Sequence, residues 1–200
     1  MTHPSYDSRL DALLQSAAEV FAKKGFHYTT MRNLANATGM SLAGMYHYVK
    51  GKDELLFLIQ TRCFARVLEG AMLAIAGSHD PEERLHRFIQ HHVTFFANHM
   101  AEMKVLSHEA GSLSAERVAG VNDLKRRYLH LLVQLIHAVR QDTEIDARVA
   151  AYALFGMMNW VYNWYDPNGT VSPRELADQF SHLIMHGLTA SSPTTATSGG

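Results

Sequence analysis

Residues Thr29–Leu55 read TTMRNLANATGMSLAGMYHYVKGKDEL, and their punctuation decides the architecture. Thr29 or Thr30 supplies a side-chain oxygen to the free N–H groups of a short helix, with Met31, Leu34 and Ala35 turned inward. Gly39 closes that helix in the left-handed conformation that a residue without Cβ adopts freely. Ser41 caps a second short helix, Leu42 to Val49. Two short helices joined by a glycine-containing turn form a helix-turn-helix. The second is too short to be stable alone, so it must lean on the first and on the helix that begins at Lys52.

The rest of the chain continues the helical pattern. No segment alternates apolar and polar residues, so no sheet is expected. Leu10, Leu13, Leu14, Ala17, Ala18 and Phe21 share one face of a first helix that Gly25 stops. A long stripe starts with Leu55, Leu56, Ile59, Cys63 and Val67 and runs to about Gly77. Asp80-Pro81 opens a further helix through Phe96, and a short one follows from about Ala101 to Ala110. Ser114 begins another long helix, with Leu124, Tyr128, Leu131, Leu135 and Val139 on its face. Thr143–Asp146 re-caps the chain into the uncharged run Val149–Tyr165, read as one helix. Asp166-Pro167-Asn168-Gly169 is a turn, and Ser172-Pro173 caps a last helix with Leu176, Phe180, Leu183, Ile184 and Leu188 inward. The expectation is an all-α fold of about nine helices. Residues 1–52 form an N-terminal helix-turn-helix module, 53–190 a helical ligand-binding and dimerisation domain, and 191–200 a disordered tail.

Composition narrows the function. The chain is 47 % hydrophobic and 18 % charged, which is globular. One cysteine, Cys63, excludes an intramolecular disulfide, and a cytoplasmic setting fits. The uncharged run falls short of a membrane span and carries Asn159 and Asn163, so no membrane partner is expected. Residues 1–62 hold seven Lys and Arg against five Asp and Glu, a mild basic bias. His86, His91, His92, His99 and His108 crowd together, but their spacing suits no single ion, and neither a metal nor a cofactor is expected. No nucleophile signature occurs, which argues against an enzyme.

The opening stretch has the chemistry of a groove reader. Tyr46, His47 and Tyr48 cannot all face inward on one short helix, so some are presented to a partner. Thr30, Ser41 and Lys52 lie at helix starts, where free N–H groups suit phosphate oxygens. Thr30, Leu34, Ala35, Gly39, Ser41, Tyr46, Tyr48, Lys52, Asp53 and Leu55 stand in the order of the DNA-binding module of TetR-family transcriptional regulators, which residues 8–60 resemble. That resemblance implies a homodimer on a palindromic double-stranded DNA operator, a repressor released by a small effector. The expected DNA contacts are Thr30, Arg32, Ser41, Leu42, Tyr46, His47 and Lys52, with Tyr48 structural. Gly44 departs from the family pattern, which places Ser or Thr there, and Leu42 replaces a polar residue and can meet a thymine methyl.

Phe95, Phe96, Met100, Met103, Tyr128, Met157 and Val161 offer a soft aromatic lining for a hydrophobic effector. Residues 156–180 are similar to the C-terminal helices of TetR-type regulators of lipid breakdown, which implies an acyl-CoA. Asn163 and Asp166 stand where such relatives carry arginines suited to the CoA phosphates. Trp160, Trp164, Phe180, Leu183 and Ile184 are the expected dimer surface. The competing reading is a helical interaction or metal-sensing protein with a degenerate DNA-binding module.

Overall fold

The computed structural model describes residues 6–139 and 145–189. They form nine α-helices: α1 (Tyr6–Lys24), α2 (Met31–Thr38), α3 (Leu42–Tyr48), α4 (Lys52–Ala76), α5 (Pro81–Ala97), α6 (Met100–His108), α7 (Ala115–Val139), α8 (Ala147–Asn159) and α9 (Pro173–Thr189). No strand occurs among the described residues. The expected tail, 191–200, lies outside them.

The described residues divide into two compact units. The first holds, of the described residues, 6–69 and 95–127. Its core forms around α1, whose buried residues are the six that the sequence spacing placed on one face. Gly25 ends α1 at φ +82°. Leu34, Ala35, Met45, Val49, Leu55, Leu56 and Ile59 close over that face, joined by Val105, Leu113 and Val121. Burying side chains of this size contributes about 1.5–3 kcal/mol each, which is what holds the two short helices in place.

The second unit holds, of the described residues, 70–94, 128–139 and 145–189. Phe88, Tyr128 and Phe155 cluster at its centre, with ring centroids 5.1 Å apart for Phe88–Tyr128 and 5.4 Å for Tyr128–Phe155. Buried His92 lies among them. It contacts the Tyr128 hydroxyl through Nδ1 at 3.0 Å and the Asn159 side-chain oxygen through Nε2 at 3.1 Å. Burial is the main force that pushes its pKa down to about 3, with His91 adding to it, so the ring is neutral at ordinary pH.

Two expectations of shape are corrected. The uncharged run is not one helix: α8 ends at Asn159 and a 3-10 turn, Trp160–Asn163, follows. The run of Asn, aromatic and β-branched residues has low helix propensity, and the Asn163 amide donates to the Trp160 carbonyl, competing with the helical bond. Leu183 does not point inward: it is 62 % exposed, and Ala177 and Ser181 share the buried side of α9 with Leu176 and Phe180. The turn after the run forms as expected, with Gly169 N–H donating to the Asp166 carbonyl at 3.0 Å.

Candidate nucleic-acid interface

The geometry of α2 and α3 follows from their caps. Thr30 Oγ1 accepts from the Asn33 N–H at 3.2 Å, while Asn33 Oδ1 accepts from the Thr30 N–H at 3.1 Å, a reciprocal capping box. Gly39 turns the chain at φ +66° and its N–H returns to the Ala35 carbonyl. Ser41 Oγ then accepts from the Gly44 N–H at 3.0 Å and starts α3. A Cβ on Gly44 would sit 3.1 Å from that oxygen, so this departure from the family pattern leaves the cap uncrowded.

These caps fix the rotation of α3. Met45 and Val49 enter the core. Leu42, Ala43, Tyr46 and His47 lie on the opposite, exposed face, with Lys50 just beyond the helix. Their spacing, one and three residues apart in turn, makes a continuous strip. Tyr46 is 50 % exposed and Leu42 40 %. Thr30, Arg32 and Ser41 are exposed as well. Six of the seven expected DNA contacts are therefore on the surface around α3. Tyr48 is half-buried and stacks on Tyr6 of α1 at 5.0 Å, a structural position.

Lys52 is the exception. Its ammonium donates to the carbonyls of Phe26 at 3.0 Å, His27 at 3.2 Å and Thr29 at 3.2 Å, and lies 4.6 Å from the centre of the Phe26 ring. An ammonium has three protons, and all three have partners. Lys52 therefore ties the start of α4 to the loop between α1 and α2, and is not placed as a phosphate clamp.

That loop has a second anchor, which sequence reasoning missed. Glu109, at the end of α6, accepts from the Phe26 N–H at 3.1 Å and from the Ser112 hydroxyl at 2.6 Å. Gln60 of α4 donates to the Glu109 carbonyl at 3.1 Å. The end of α6 is thus joined to the loop that carries α2. The separation of 83 residues hides this from any local pattern. Tyr28, 85 % exposed in the same loop, was also missed.

The other expected sites are distributed as follows. Phe95, Phe96, Met100 and Met103 belong to the first unit, where Phe96 and Met103 are buried. Tyr128, Met157 and Val161 belong to the second, where Tyr128 and Val161 are buried. On the expected dimer surface Trp160 is 61 % and Trp164 54 % exposed, and Ile184 is half-buried. Phe180 is corrected: it is buried in the core of its own unit and is not offered to a second chain. Val149 and Tyr152 of α8 are exposed instead. Among the described residues no group of three or more His, Cys, Asp or Glu side chains could hold a metal, and no helix is long and apolar enough to cross a membrane.

Residues 13–59 match the model of bacterial regulatory proteins of the tetR family, and residues 78–188 match the tetracyclin repressor-like C-terminal domain. The chain is 25 % identical over 195 residues to the HTH-type transcriptional repressor KstR2 of Mycobacterium tuberculosis, covering 92 % of this chain and 94 % of that one. Among solved structures, the TetR family transcriptional regulator PfmR of Thermus thermophilus superimposes with a TM-score of 0.80 at 28 % identity, covering 89 % of this chain and 99 % of that one. AibR, solved in complex with isovaleryl coenzyme A and operator DNA, gives 0.76 at 26 %, over 90 % and 97 % of the two chains. With two caps, an exposed reading face and matches over both parts of its length, the chain belongs to the tetR family of DNA-binding transcription regulators.

Proposed function

We propose that the chain is a ligand-responsive repressor that binds a palindromic operator as a homodimer and leaves it when a small hydrophobic or acyl-CoA-like effector binds. Residues 1–52 act as the reading head, and 53–190 take the effector and pair the chains. The observation that carries this is the exposed strip Leu42, Ala43, Tyr46 and His47, held by caps on both short helices. A helix presented this way enters the major groove, where Leu42 meets a thymine methyl and Tyr46 and His47 meet base edges or phosphates. Thr30 and Ser41 stand at helix N-termini beside the phosphates, and Arg32 adds charge.

Pairing two heads about a two-fold axis sets them roughly 34–36 Å apart, one DNA turn. The exposed apolar residues Val149, Tyr152, Trp160, Trp164 and Leu183, all in the second unit, support pairing through α8 and α9, since monomers rarely leave such a set in water. A similar regulator solved with both isovaleryl coenzyme A and operator DNA, and one named a transcriptional repressor, support the effector and the direction of control. The bond from Glu109 to Phe26 supplies a route: an effector that moves α6 moves the loop that carries α2. To shift the population the effector must prefer the released state, and going from 1:99 to 99:1 takes about a 10⁴-fold preference.

Fluorescence anisotropy on duplexes from the chain's own promoter region tests the function. Tight, salt-sensitive binding to one palindromic duplex supports it. Affinity that stays at the non-specific level for every duplex contradicts it.

A further inference from the structure

The first unit opens a cavity of about 400 Å³ between α1, α4 and α6, lined by none of the aromatic and methionine side chains expected to hold the effector. Its floor is apolar, from Leu14, Ile59 and Cys63. Burial drives the thiol pKa up to about 12, so Cys63 is a neutral wall and not a nucleophile. The charged groups of the rim are unevenly satisfied. Arg62 is paired with Asp11 and with Asp7 at 3.8 Å. Arg66 has no carboxylate within 4.0 Å among the described residues, and neither Arg nor Lys reaches Glu102 within that distance.

Arg66 is nevertheless held. Its Nη2 donates to His99 Nε2 at 3.1 Å, and its guanidinium sits 5.5 Å from the centre of the Phe95 ring. His99 Nδ1 is 2.6 Å from the Phe95 carbonyl, so its proton is on Nδ1 and Nε2 accepts. A pinned guanidinium keeps a planar fork of remaining donors ready for a carboxylate with little ordering left to do. Glu102, on the rim with it, accepts hydrogen bonds only.

We propose that this cavity binds an amphiphilic carboxylate that carries a hydroxyl or amino group near its acid end. The carboxylate pairs with Arg66, the hydroxyl or amino group donates to Glu102, and the alkyl chain lies on Leu14, Ile59 and Cys63. The volume is within the range of small-molecule sites, roughly 300–1,000 Å³. Because α6 ends at Glu109, occupancy of this cavity bears on the reading head; that consequence rests on the repressor function proposed above, whereas binding itself does not.

Isothermal titration of the full-length chain with 3-hydroxyoctanoate, without DNA, tests the site. One saturable site per chain is expected, at least tenfold weaker in Arg66→Gln and unchanged in the exposed control Arg126→Gln. Glu102→Leu, which removes the acceptor, is expected to erase the preference for 3-hydroxyoctanoate over octanoate. Absence of saturable binding to the native chain, or equal affinity in Arg66→Gln, overturns the proposal. If binding holds and operator affinity, measured separately by anisotropy, does not respond, the site stands and its coupling to the reading head through α6 is what fails.

Discussion

Lys52 and Tyr46 are both polar residues at family positions, and the fold gives them opposite work. Three carbonyls take the Lys52 protons, so its removal takes a donor from each, and of the three Phe26 keeps the Thr29 N–H. Lys52→Met is expected to lower the melting temperature by several degrees, on the scale of roughly 1–3 kcal/mol for a broken network. Tyr46→Ala, on an exposed site, is expected to leave the melting temperature within a degree or so and weaken operator binding about tenfold or more. Thermal scans and anisotropy titrations on the two variants separate these outcomes. The positions of both residues were legible in the sequence, because caps and glycines fix where α3 begins. The job of Lys52 was not, because residue type says that an ammonium is present and nothing of which carbonyls the fold brings to it.

Elements with strong local signals were the most readable. The face of α1, the threonine cap of α2, the left-handed Gly39 and the Ser41 cap all appear where short-range chemistry puts them. The break after α8 was hidden because it depends on the Asn163 side chain choosing the Trp160 carbonyl. The Glu109 link was hidden for a different reason, its distance along the chain. Glu109→Gln keeps the carbonyl contacts but weakens the charge-assisted bond to Phe26. If α6 controls the head, this variant is expected to blunt the effector response severalfold while retaining operator binding; an intact response would remove α6 from the route.

His92 supplies a pH test at the same scale. Its pKa is held at about 3 in the fold against 6.5 in the ordinary state. Above pH 6.5 neither folded nor unfolded chain protonates it, and it adds no pH dependence. As pH falls from 6.5 toward 3 the unfolded chain takes a proton that the folded chain refuses. Stability is therefore lost on acidification, by up to about 1.4 kcal/mol per pH unit from this group. Urea unfolding across that window is expected to show the slope, and His92→Gln to flatten it.

At the scale of the whole molecule, the proposed function depends on pairing, since one head alone would grip only a half-site. Trp160 and Trp164 were legible as more than core because the uncharged run has too many apolar residues for one buried face. Phe180 was not distinguishable from them by type, and only packing shows that its own unit covers it. Leu183→Glu combined with Trp160→Glu is expected to give monomers in analytical ultracentrifugation with the helical content retained, and to lose operator binding. A dimer that survives both substitutions would move the interface elsewhere.

The central claim is that the outward strip of α3 reads DNA, and the double variant Tyr46→Ala, His47→Ala addresses it directly. Anisotropy titration against the palindromic duplex from its own promoter, at several salt concentrations, is the measurement. The native chain is expected to bind this duplex far more tightly than a scrambled one, and the variant, equally stable, to bind both alike. Undiminished discrimination between the two duplexes by the variant would contradict the claim.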